Sequence, residues 1–552
     1  MSALSSSRRK ATPARPRRAR LLLGGVAVLL LALLIDTAFR DGLSRQADLL
    51  FDSFQRAAPR AATPDPGVLV VDIDEASLAR VGQWPWPRDQ MGQLVDTVGS
   101  LGAAVIAFDM VFTEPDRTSL GPQLQRLQAQ GIGVQVPDGA PLDNDRVFAE
   151  AIARNPVVMG VALSSETGRA LSPPLAGLSF AGSDPRRYLP AFEGGLSNLP
   201  ALSAAATGIG SFSFPPAHDN IIRAMPLLAS ANGQLYPGLG VEALRVAQGA
   251  TGLVLRSSDA SGESAAGPLA LTAVKVGMLE LPAAADGRFR VHYSGMPHMT
   301  VIPAWQLLQG DAAAWSDKVE GRVVLVGTSA IGLRDIVATP LAAAEPGVNV
   351  HAELIDQALN QQSLQRPDWA RGAEVLVAIV SSVLLLLVLA GARPLLSSLV
   401  FLLLLAGVLG MAWWAYTRHA WLLDPVPALL CLLAVFVSML PALLFAANVI
   451  AQQTPAQALA AWEAQGRADG LARPDIECQD FLQAMGRKPP ELQYVGCSQD
   501  DASYIKPMEA HYRVSGAQAA QVEAYLHTAF GLPALRYVCC GWSNGAPYYW
   551  RE

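Results

Sequence analysis

The chain has 552 residues, enough for two or three domains, of which 51% are hydrophobic and only 16% are charged. A soluble globular protein usually has about 25% charged residues, so part of this chain is expected to lie in lipid. The net charge of −6 gives no indication of nucleic-acid binding.

The N-terminus combines a basic tail over residues 1–20 with an apolar run over 21–39. A cleaved signal peptide has the same charge pattern but ends in a small-residue cleavage site. This run ends instead in Asp36, Arg40 and Asp41. We therefore predict an uncleaved transmembrane helix over 21–39, with the basic tail in the cytoplasm under the positive-inside rule.

Residues 40–370 predict an α/β domain with parallel strands. A buried strand is expected over 67–74, an amphipathic helix over 91–101 and a second buried strand over 103–109, which together make a βαβ unit. A similar strand, loop and helix recur over 322–359. The stretches 117–145 and 255–290 are rich in small and polar residues, which is typical of surface insertions.

Three carboxylates follow the first two predicted strands, which we expect to be neighbours. Asp72 and Asp74 are two residues apart and share one face of an extended chain, and Asp109 ends the second strand. Ligands of open α/β sheets bind at this edge, so the three residues could hold a cation or a polar ligand. They could equally cap loops or pair with Arg88 or Arg334.

The other ligand-binding candidates of the domain are aromatic or polar: Trp84, Trp86, Arg88, Asp335 and His351. The two tryptophans could line a ligand pocket or pack over the following helix, and a single histidine is more often structural than a ligand contact. The loop 327–332 could be an anion nest or a tight turn. No nucleophile–base pair or metal motif is present in the sequence, so we predict no catalytic residue, no metal and no cofactor.

Three further apolar runs predict transmembrane helices over 373–391, 395–416 and 422–450. Tryptophan and tyrosine side chains flank the second break, as in the aromatic belt of membrane proteins. With the first helix, the chain is expected to cross the membrane four times. This count places residues 40–370 outside the cytoplasm and both termini inside.

Ordered motifs in the predicted domain match a known family. They are VDIDEASL at 71–78, WPWPR at 84–88, AFDMVFTEPD at 107–116, HDNIIR at 218–223, LVGTSAIGLRD at 325–335, TPL at 339–341 and PGVNVHA at 346–352. The region resembles the CHASE domain of type 2, an extracytoplasmic sensory domain of bacterial signalling proteins. Asn220 departs from the family pattern, because a glycine is common there. The resemblance implies one membrane helix before the domain, three after it, and an enzymatic output module in the cytoplasm.

The expected output module has no counterpart in the sequence. A linker over 451–472 and a small α+β domain over 473–552 follow the last apolar run, without the motifs of a cyclase or a kinase. Strands are predicted over 492–497, 510–514 and 535–542, and an amphipathic helix over 518–530. This part faintly resembles a small cysteine-bearing bacterial domain of unknown function.

The cysteines of the small domain leave several interpretations open. Cys497 could form a disulfide or a redox-active thiol pair with Cys539 or Cys540. Disulfides are rare in the cytoplasm, so buried thiols are the simplest interpretation. A zinc site that includes Cys478 and His511 lacks the usual C-x-x-C spacing.

These observations favour a bacterial sensor in the inner membrane. Its partners would be the lipid membrane, a small-molecule or envelope ligand, and a separate cytoplasmic signalling protein, and a homodimer is an assembly that the sequence leaves open. A scaffold of an envelope complex that senses nothing is the alternative. An envelope hydrolase using Asp72, Asp74 and Asp109 is a third hypothesis.

Overall fold

The structure is a computed structural model that describes residues 15–137, 140–166, 170–215, 218–260, 269–295, 299–333, 336–390, 394–439, 478–499, 508–530, 536–538 and 541–543. The chain divides into two compact units, Met1–Phe445 and Ala446–Glu552.

Fourteen helices are described in the first unit. They are α1 Arg15–Ala38, α2 Arg40–Ala57, α3 Glu75–Val81, α4 Arg88–Ser100, α5 Leu120–Ala129, α6 Asn144–Arg154, α7 Pro200–Ala205, α8 Leu239–Ala247, α9 Ala304–Leu308, α10 Ser316–Val319, α11 Gly347–Leu359, α12 Ala370–Leu389, α13 Pro394–His419 and α14 Val426–Met439.

Eighteen strands are described in the same unit. They are β1 Val68–Ile73, β2 Val105–Phe108, β3 Val157–Ser164, β4 Gly177–Ala181, β5 Ala191–Phe192, β6 Gly194–Leu196, β7 Gly208–Ser211, β8 Ala224–Pro226, β9 Leu228–Ala231, β10 Gln234–Pro237, β11 Gly252–Ser257, β12 Leu271–Val276, β13 Leu279–Pro282, β14 Arg288–Arg290, β15 Thr300–Pro303, β16 Val323–Thr328, β17 Ile336–Val337 and β18 Glu345–Pro346.

A parallel sheet in the order β15-β1-β16-β2-β3-β7 forms the centre of the domain, and β6 pairs antiparallel with β3. The predicted α/β class with parallel strands is confirmed. β1 and β2 are not neighbours, as the sequence had suggested, because β16 lies between them. β16 comes more than 200 residues later in the chain, and local sequence does not reveal such an inserted strand.

Both faces of the sheet are covered by helices. Alternate residues of each strand point to opposite faces, so Leu69, Ile106 and Val324 pack with α4, α6 and α9. Val70 and Leu325 pack on the other face with α8 and α11. The predicted helix over 91–101 corresponds to α4, and the following Gly102 has a φ of 84°, a left-handed conformation that favours glycine at a helix end.

The stretch 255–290 is only partly the surface insertion that the sequence predicted. β11, β12, β13 and β4 form a second sheet, and Leu271, Val274, Val276 and Leu281 of this sheet are fully buried in the core beside α8. In β12 the buried apolar residues largely alternate with less buried ones, which is the pattern of a strand. The many small residues on either side made this alternation hard to recognise in the sequence. In the other stretch, α5 buries no side chain, as expected for an insertion.

Two helices, α12 and α13, are long and apolar enough to cross a membrane. A third span exists if the bent pair Leu22–Ala38 and Gly42–Ala57 is one crossing. The fourth predicted helix, over 422–450, is described only as the shorter α14, and its remaining residues lie outside the described part of the chain. The described helices therefore do not clearly make four spans.

The second unit is a small α+β arrangement. Its elements are α15 Phe481–Ala484, β19 Gln493–Gln499, β20 Met508–Arg513, α16 Ala519–Phe530, β21 Arg536–Val538 and β22 Gly541–Ser543. β19 and β20 pair antiparallel. The single strand predicted over 535–542 is wrong, because β21 and β22 form an antiparallel hairpin there.

Candidate functional site

Polar residues meet at the carboxyl edge of the central sheet. Asp72 of β1 lies beside Gly327 of β16 in the parallel register. On the other side of β16, the backbone N–H of Asp109 donates to the carbonyl of Val326 at 2.9 Å. Asp72 and Asp109 therefore flank the end of β16. We call Asp72, Asp109, Ser329 and His351 the sheet-edge cluster.

At this edge, the connections that follow neighbouring strands leave toward opposite faces of the sheet. The helices that follow β1 and β2, α4 and α6, cover one face of the sheet, whereas α11, which follows β16, covers the other. Adjacent strands whose connections leave toward opposite faces open a crevice beyond their carboxyl ends. Open α/β sheets bind their ligands at such a switch point.

Helix α11 lies directly over the cluster. A Cβ atom at Gly327 would come within 2.5 Å of the Val348 side chain, so only glycine lets α11 approach β16 this closely. The approach buries His351, which is 1% exposed and stacks on Phe214 at 5.3 Å between ring centroids. Its Nε2 atom is 3.9 Å from Oδ1 of Asp109, too long for a hydrogen bond.

Asp72 has one satisfied and one unsatisfied oxygen. The Ser329 hydroxyl donates to its Oδ2 atom at 2.6 Å, whereas its Oδ1 atom is buried and has no hydrogen-bond partner among the described residues. Burial raises the pKa of Asp72, the Ser329 hydrogen bond opposes the rise, and the charge of Asp74 adds to it. A raised pKa favours the protonated carboxyl group, which can both donate and accept a hydrogen bond.

His351 is the other unsatisfied group. Within the described part of the chain, neither ring nitrogen has a partner that meets the geometry of a hydrogen bond. Burial lowers the pKa of His351 to about 4, and the nearby backbone of Phe212 opposes this only in part. The imidazole is therefore neutral at pH 7, with one nitrogen that can donate a hydrogen bond and one that can accept one. Buried polar groups are usually paired, so these atoms mark a place where a polar molecule could bind.

The structure separates the other predicted residues from this cluster. Asp74 caps α3 by accepting the backbone N–H of Ser77, which is the loop-capping alternative. Trp86 is 1% exposed and donates its indole N–H to the carbonyl of Gly82 at 2.7 Å. Trp84 packs edge-on against Trp86. Both tryptophans therefore pack against the core, and neither lines the sheet edge.

Arg88 is committed to structural contacts. Its guanidinium lies 3.6 Å from Asp145 and over the ring of Phe112 at 4.3 Å, and its backbone N–H donates to Asp116. Because desolvation outweighs the charges of Asp145 and Asp116, burial lowers its pKa. Arg88 therefore contacts Asp145 and Asp116, not the sheet-edge carboxylates that the sequence suggested as its partners. Asp335 and Arg334 lie outside the described residues.

Sequence reasoning missed Ser329 and Phe214. Ser329 follows β16 within a motif that was read as a tight turn, and its position after a buried strand was the available signal. Phe214 belongs to the loop after β7 and comes close to His351 only in the folded chain. The described residues contain no group of three or more histidine, cysteine or acidic side chains that could hold a metal ion.

A second polar network joins α11 to the membrane-proximal part of the first unit. Arg60 is 4% exposed, and its guanidinium contacts Glu353 at 2.7 Å and Asp356 at 2.6 Å. Its Nε atom donates to the carbonyl of His292, and Nε2 of His292 is 2.9 Å from the hydroxyl of Tyr416 at the end of α13. Continuous contacts therefore run from α11 to an apolar helix.

The HDNIIR motif anchors α2 to the domain. Arg223 makes a two-bond ion pair with the buried Asp52 of α2, each bond 2.8 Å, and also contacts Asp219. Asn220 has a φ of 58°, a left-handed conformation that glycine adopts without strain and asparagine tolerates. This explains why a glycine is common at this position of the family.

The cysteines of the second unit pair differently from the prediction. Cys478 and Cys497 form a disulfide with a Cα–Cα distance of 5.5 Å, which is within the usual range. A pairing of Cys497 with Cys539 or Cys540, one of the interpretations that the sequence left open, is therefore wrong, and so is the simplest one, a buried thiol, for Cys478 and Cys497. Cys539 and Cys540 lie outside the described part of the chain. Cys478 is 19 residues before Cys497, and only the fold brings them together.

The buried His351 makes stability depend on pH. In the unfolded chain its pKa is about 6.5, so between pH 6.5 and 4 the unfolded state binds a proton that the folded state does not. The contribution of neutral His351 to the free energy of unfolding is therefore fully present above pH 6.5 and is lost as the pH falls toward 4. We expect His351→Leu to reduce the slope of unfolding free energy in this window by about 1.4 kcal/mol per pH unit, measured by thermal unfolding across pH.

The pKa of His292 is also lowered to about 4, by burial and by the charge of Arg60, so a similar slope remains in the variant. His527 is exposed on α16, and His527→Leu is the matched control that should leave the pH profile unchanged. An unchanged slope in His351→Leu would show that His351 titrates normally in the folded protein.

Comparison with known proteins finds one family model in each unit. Residues 26–391, more than half of the chain, match the family model of the CHASE2 domain, a sensory domain of membrane receptors. Residues 466–542 match a domain of unknown function, DUF4952. No curated protein and no solved structure matches the chain.

Proposed function

The chain belongs to the CHASE2 domain family, and we propose that it is a bacterial inner-membrane receptor that binds a small polar ligand at the sheet-edge cluster. The observation that carries this proposal is a set of buried atoms at the switch point that make no hydrogen bond to any residue the structure describes: Oδ1 of Asp72 and both ring nitrogens of His351. A ligand with hydrogen-bond donors and acceptors would satisfy them.

The same atoms explain how binding would become a signal. They are closed off by α11, because Val348 packs on Gly327 and His351 is buried beneath the helix. A ligand gains access only if α11 shifts, so it would bind one arrangement of the helix better than the other. Such a difference in affinity is what a two-state receptor needs.

The proposed route outward runs along α11. Glu353 and Asp356 follow His351 by less than two turns and hold Arg60, which contacts His292 and, through it, Tyr416 of α13. A shift of α11 would therefore displace the residues that contact the apolar helix α13. The protein would act without enzymatic activity of its own and would pass the signal to a separate cytoplasmic partner.

A thermal-shift screen of the full chain in lipid nanodiscs tests the ligand proposal. The library would contain small amines, amino acids, polyols and sugars. A ligand at about 100 times its Kd should stabilise the protein by about 2.7 kcal/mol. Asp72→Asn should weaken that ligand at least tenfold, whereas Asp286→Asn, an exposed acid on a turn, should not.

Two results would contradict the proposal. If Asp72→Asn binds the ligand as tightly as the parent protein, the ligand sits elsewhere. If no compound of a broad library raises the melting temperature, the scaffold alternative is favoured, and crosslinked membranes should then yield stable partners without any added signal.

The proposed topology places residues 40–370 outside the cytoplasm and both termini inside. The basic tail supports the inside position of the N-terminus. The turn after α13 contacts the α/β domain through the backbone. The N–H of Gln365 donates to the carbonyl of Ala420, and the carbonyl of Gln365 accepts the N–H of Leu422. This contact supports a hairpin of α13 and α14 that returns to the domain side of the membrane.

The disulfide Cys478–Cys497 stands against a cytoplasmic second unit, because disulfides form in oxidising compartments. Alkaline phosphatase and fluorescent-protein fusions after residues 420 and 552 test on which side of the membrane each of these positions lies. We expect phosphatase activity only after residue 420. Phosphatase activity after residue 552 would place the second unit outside and would overturn the four-crossing topology.

A further inference from the structure

A cavity of about 510 Å³ opens where the end of α13 meets the α/β domain. Its lining comes from the segment after α2, from the region of β14 and α11, and from the end of α13, and it includes Arg60, His292, Tyr416, Arg418 and His419. We call it the junction pocket. Its volume is within the range of small-ligand sites, roughly 300–1,000 Å³.

Basic side chains line part of the junction pocket, and none of its described lining residues carries a carboxylate. Arg60 is already paired with Glu353 and Asp356. Arg418 makes no hydrogen bond or ion pair with any residue in the described part of the chain, and it is exposed. The pocket therefore has an arginine whose charge is not neutralised, which favours an anion.

The position of the pocket indicates where the anion comes from. Arg418 and His419 end α13, a helix long and apolar enough to cross a membrane. His419 lies between Trp414, at 4.7 Å, and Trp421, at 4.6 Å between ring centroids. Tryptophans at the end of an apolar helix lie at the level of the lipid headgroups, so the pocket is at that level.

We propose that the junction pocket binds the phosphate-bearing headgroup of an anionic phospholipid, with Arg418 as the ion-pairing group. Arginine presents several N–H donors in one plane, which matches the oxygens of a phosphate. The lipid would hold the end of α13 against the segment after α2. This site is independent of the ligand proposed for the sheet-edge cluster.

The test is a titration of the delipidated full chain in neutral detergent, followed by native mass spectrometry. The probes are phosphatidylglycerol, phosphatidylcholine and free glycerol phosphate. We expect phosphatidylglycerol to bind at least tenfold more tightly than phosphatidylcholine. Arg418→Ala should weaken phosphatidylglycerol roughly tenfold to a hundredfold, the factor that corresponds to one charge-assisted hydrogen-bonded contact.

Arg45 provides the matched control. It is exposed on the membrane-proximal helix α2 and has no ion pair among the described residues, so Arg45→Ala should leave lipid affinity unchanged. Equal losses in both variants, or equal binding of the two lipids, would overturn the proposal, because either result means nonspecific attraction. Glycerol phosphate that binds as tightly as the lipid, and depends on Arg418, would support the phosphate site and assign it to a soluble ligand.

Discussion

Replacing Arg60 by alanine is expected to lower the free energy of unfolding of the α/β domain by about 3–5 kcal/mol. Arg60 is the buried partner of two carboxylates, Glu353 and Asp356, whose side chains are at most 1% exposed. Without the guanidinium both charges would remain buried in a low-dielectric interior. The melting temperature should fall by roughly 10 °C for a domain of this size, measured by thermal unfolding.

Two further variants show that the loss comes from the unpaired charges. Arg256→Ala removes an ion pair with Glu280 of similar length, 2.8 Å, but about half exposed, so it should cost less than 1 kcal/mol. Combining Arg60→Met with Glu353→Gln and Asp356→Asn should recover much of the stability, because no buried charge is left. If the triple variant is as unstable as Arg60→Ala, packing around Arg60 is the cause.

Arg223→Ala is expected to release α2 from the domain. The substitution removes both hydrogen bonds to Asp52, whose side chain is 1% exposed, so a buried carboxylate loses its main partner. The expected cost is again about 3–5 kcal/mol. Hydrogen exchange resolved by peptide should show faster exchange in α2 and an unchanged rate in β16, because the break is local to the contact between α2 and the domain.

Arg290→Ala is the control for this prediction, because Arg290 pairs with Asp48 of the same helix across the same contact. That pair is 3.2 Å long and partly exposed, so its loss should cost about 1 kcal/mol or less. Equal acceleration of exchange in both variants would mean that α2 is held by many weak contacts and that Arg223 has no special role.

The second ion pair of Arg223, with Asp219, predicts a separate dependence on pH. The hydrogen bond from Arg223 lowers the pKa of Asp219 to about 2. Because the carboxyl group titrates near 3.9 in the unfolded chain, its contribution is present above pH 4 and is lost as the pH falls toward 2. Asp219→Asn should remove this part of the acid transition in thermal unfolding. An identical acid transition in both proteins would contradict the ion pair.

Under the proposed function, these contacts would bear on signalling as well as on stability. Arg60 joins α11 to the segment after α2, and Arg223 joins α2 to the domain. A receptor that moves α11 must carry that motion to α1, α2 and α13. Variants that weaken either ion pair without unfolding the domain should therefore lose ligand response before they lose ligand binding.

Much of the fold followed from local patterns. Buried runs predicted β1, β2 and β16, helical spacing predicted α4 and α11, and the apolar composition of 373–391 and 395–416 predicted α12 and α13. The ordered motifs predicted the CHASE2 family, which the family match confirms. These features depend on neighbouring residues, so periodicity and composition are sufficient to reveal them.

The site depended on contacts between distant parts of the chain. The sequence placed Asp72 and Asp109 at strand ends, but only the sheet showed that β16 separates them. It could not distinguish Asp74, a helix cap, from Asp72, which keeps an unpaired oxygen, since both follow the same strand. The pairing of Cys497 with Cys478 likewise required the fold.

The sequence by itself determined that this protein is a membrane-associated member of a sensory family with an α/β domain between apolar helices. The tertiary structure decided which polar residues are satisfied and which are not. The physical reason is that the need for a partner arises from burial, and burial is a property of the packed chain. Arg88 and His351 are both polar residues in family motifs, yet packing gives Arg88 nearby carboxylates and leaves the His351 nitrogens without a hydrogen bond to any described residue.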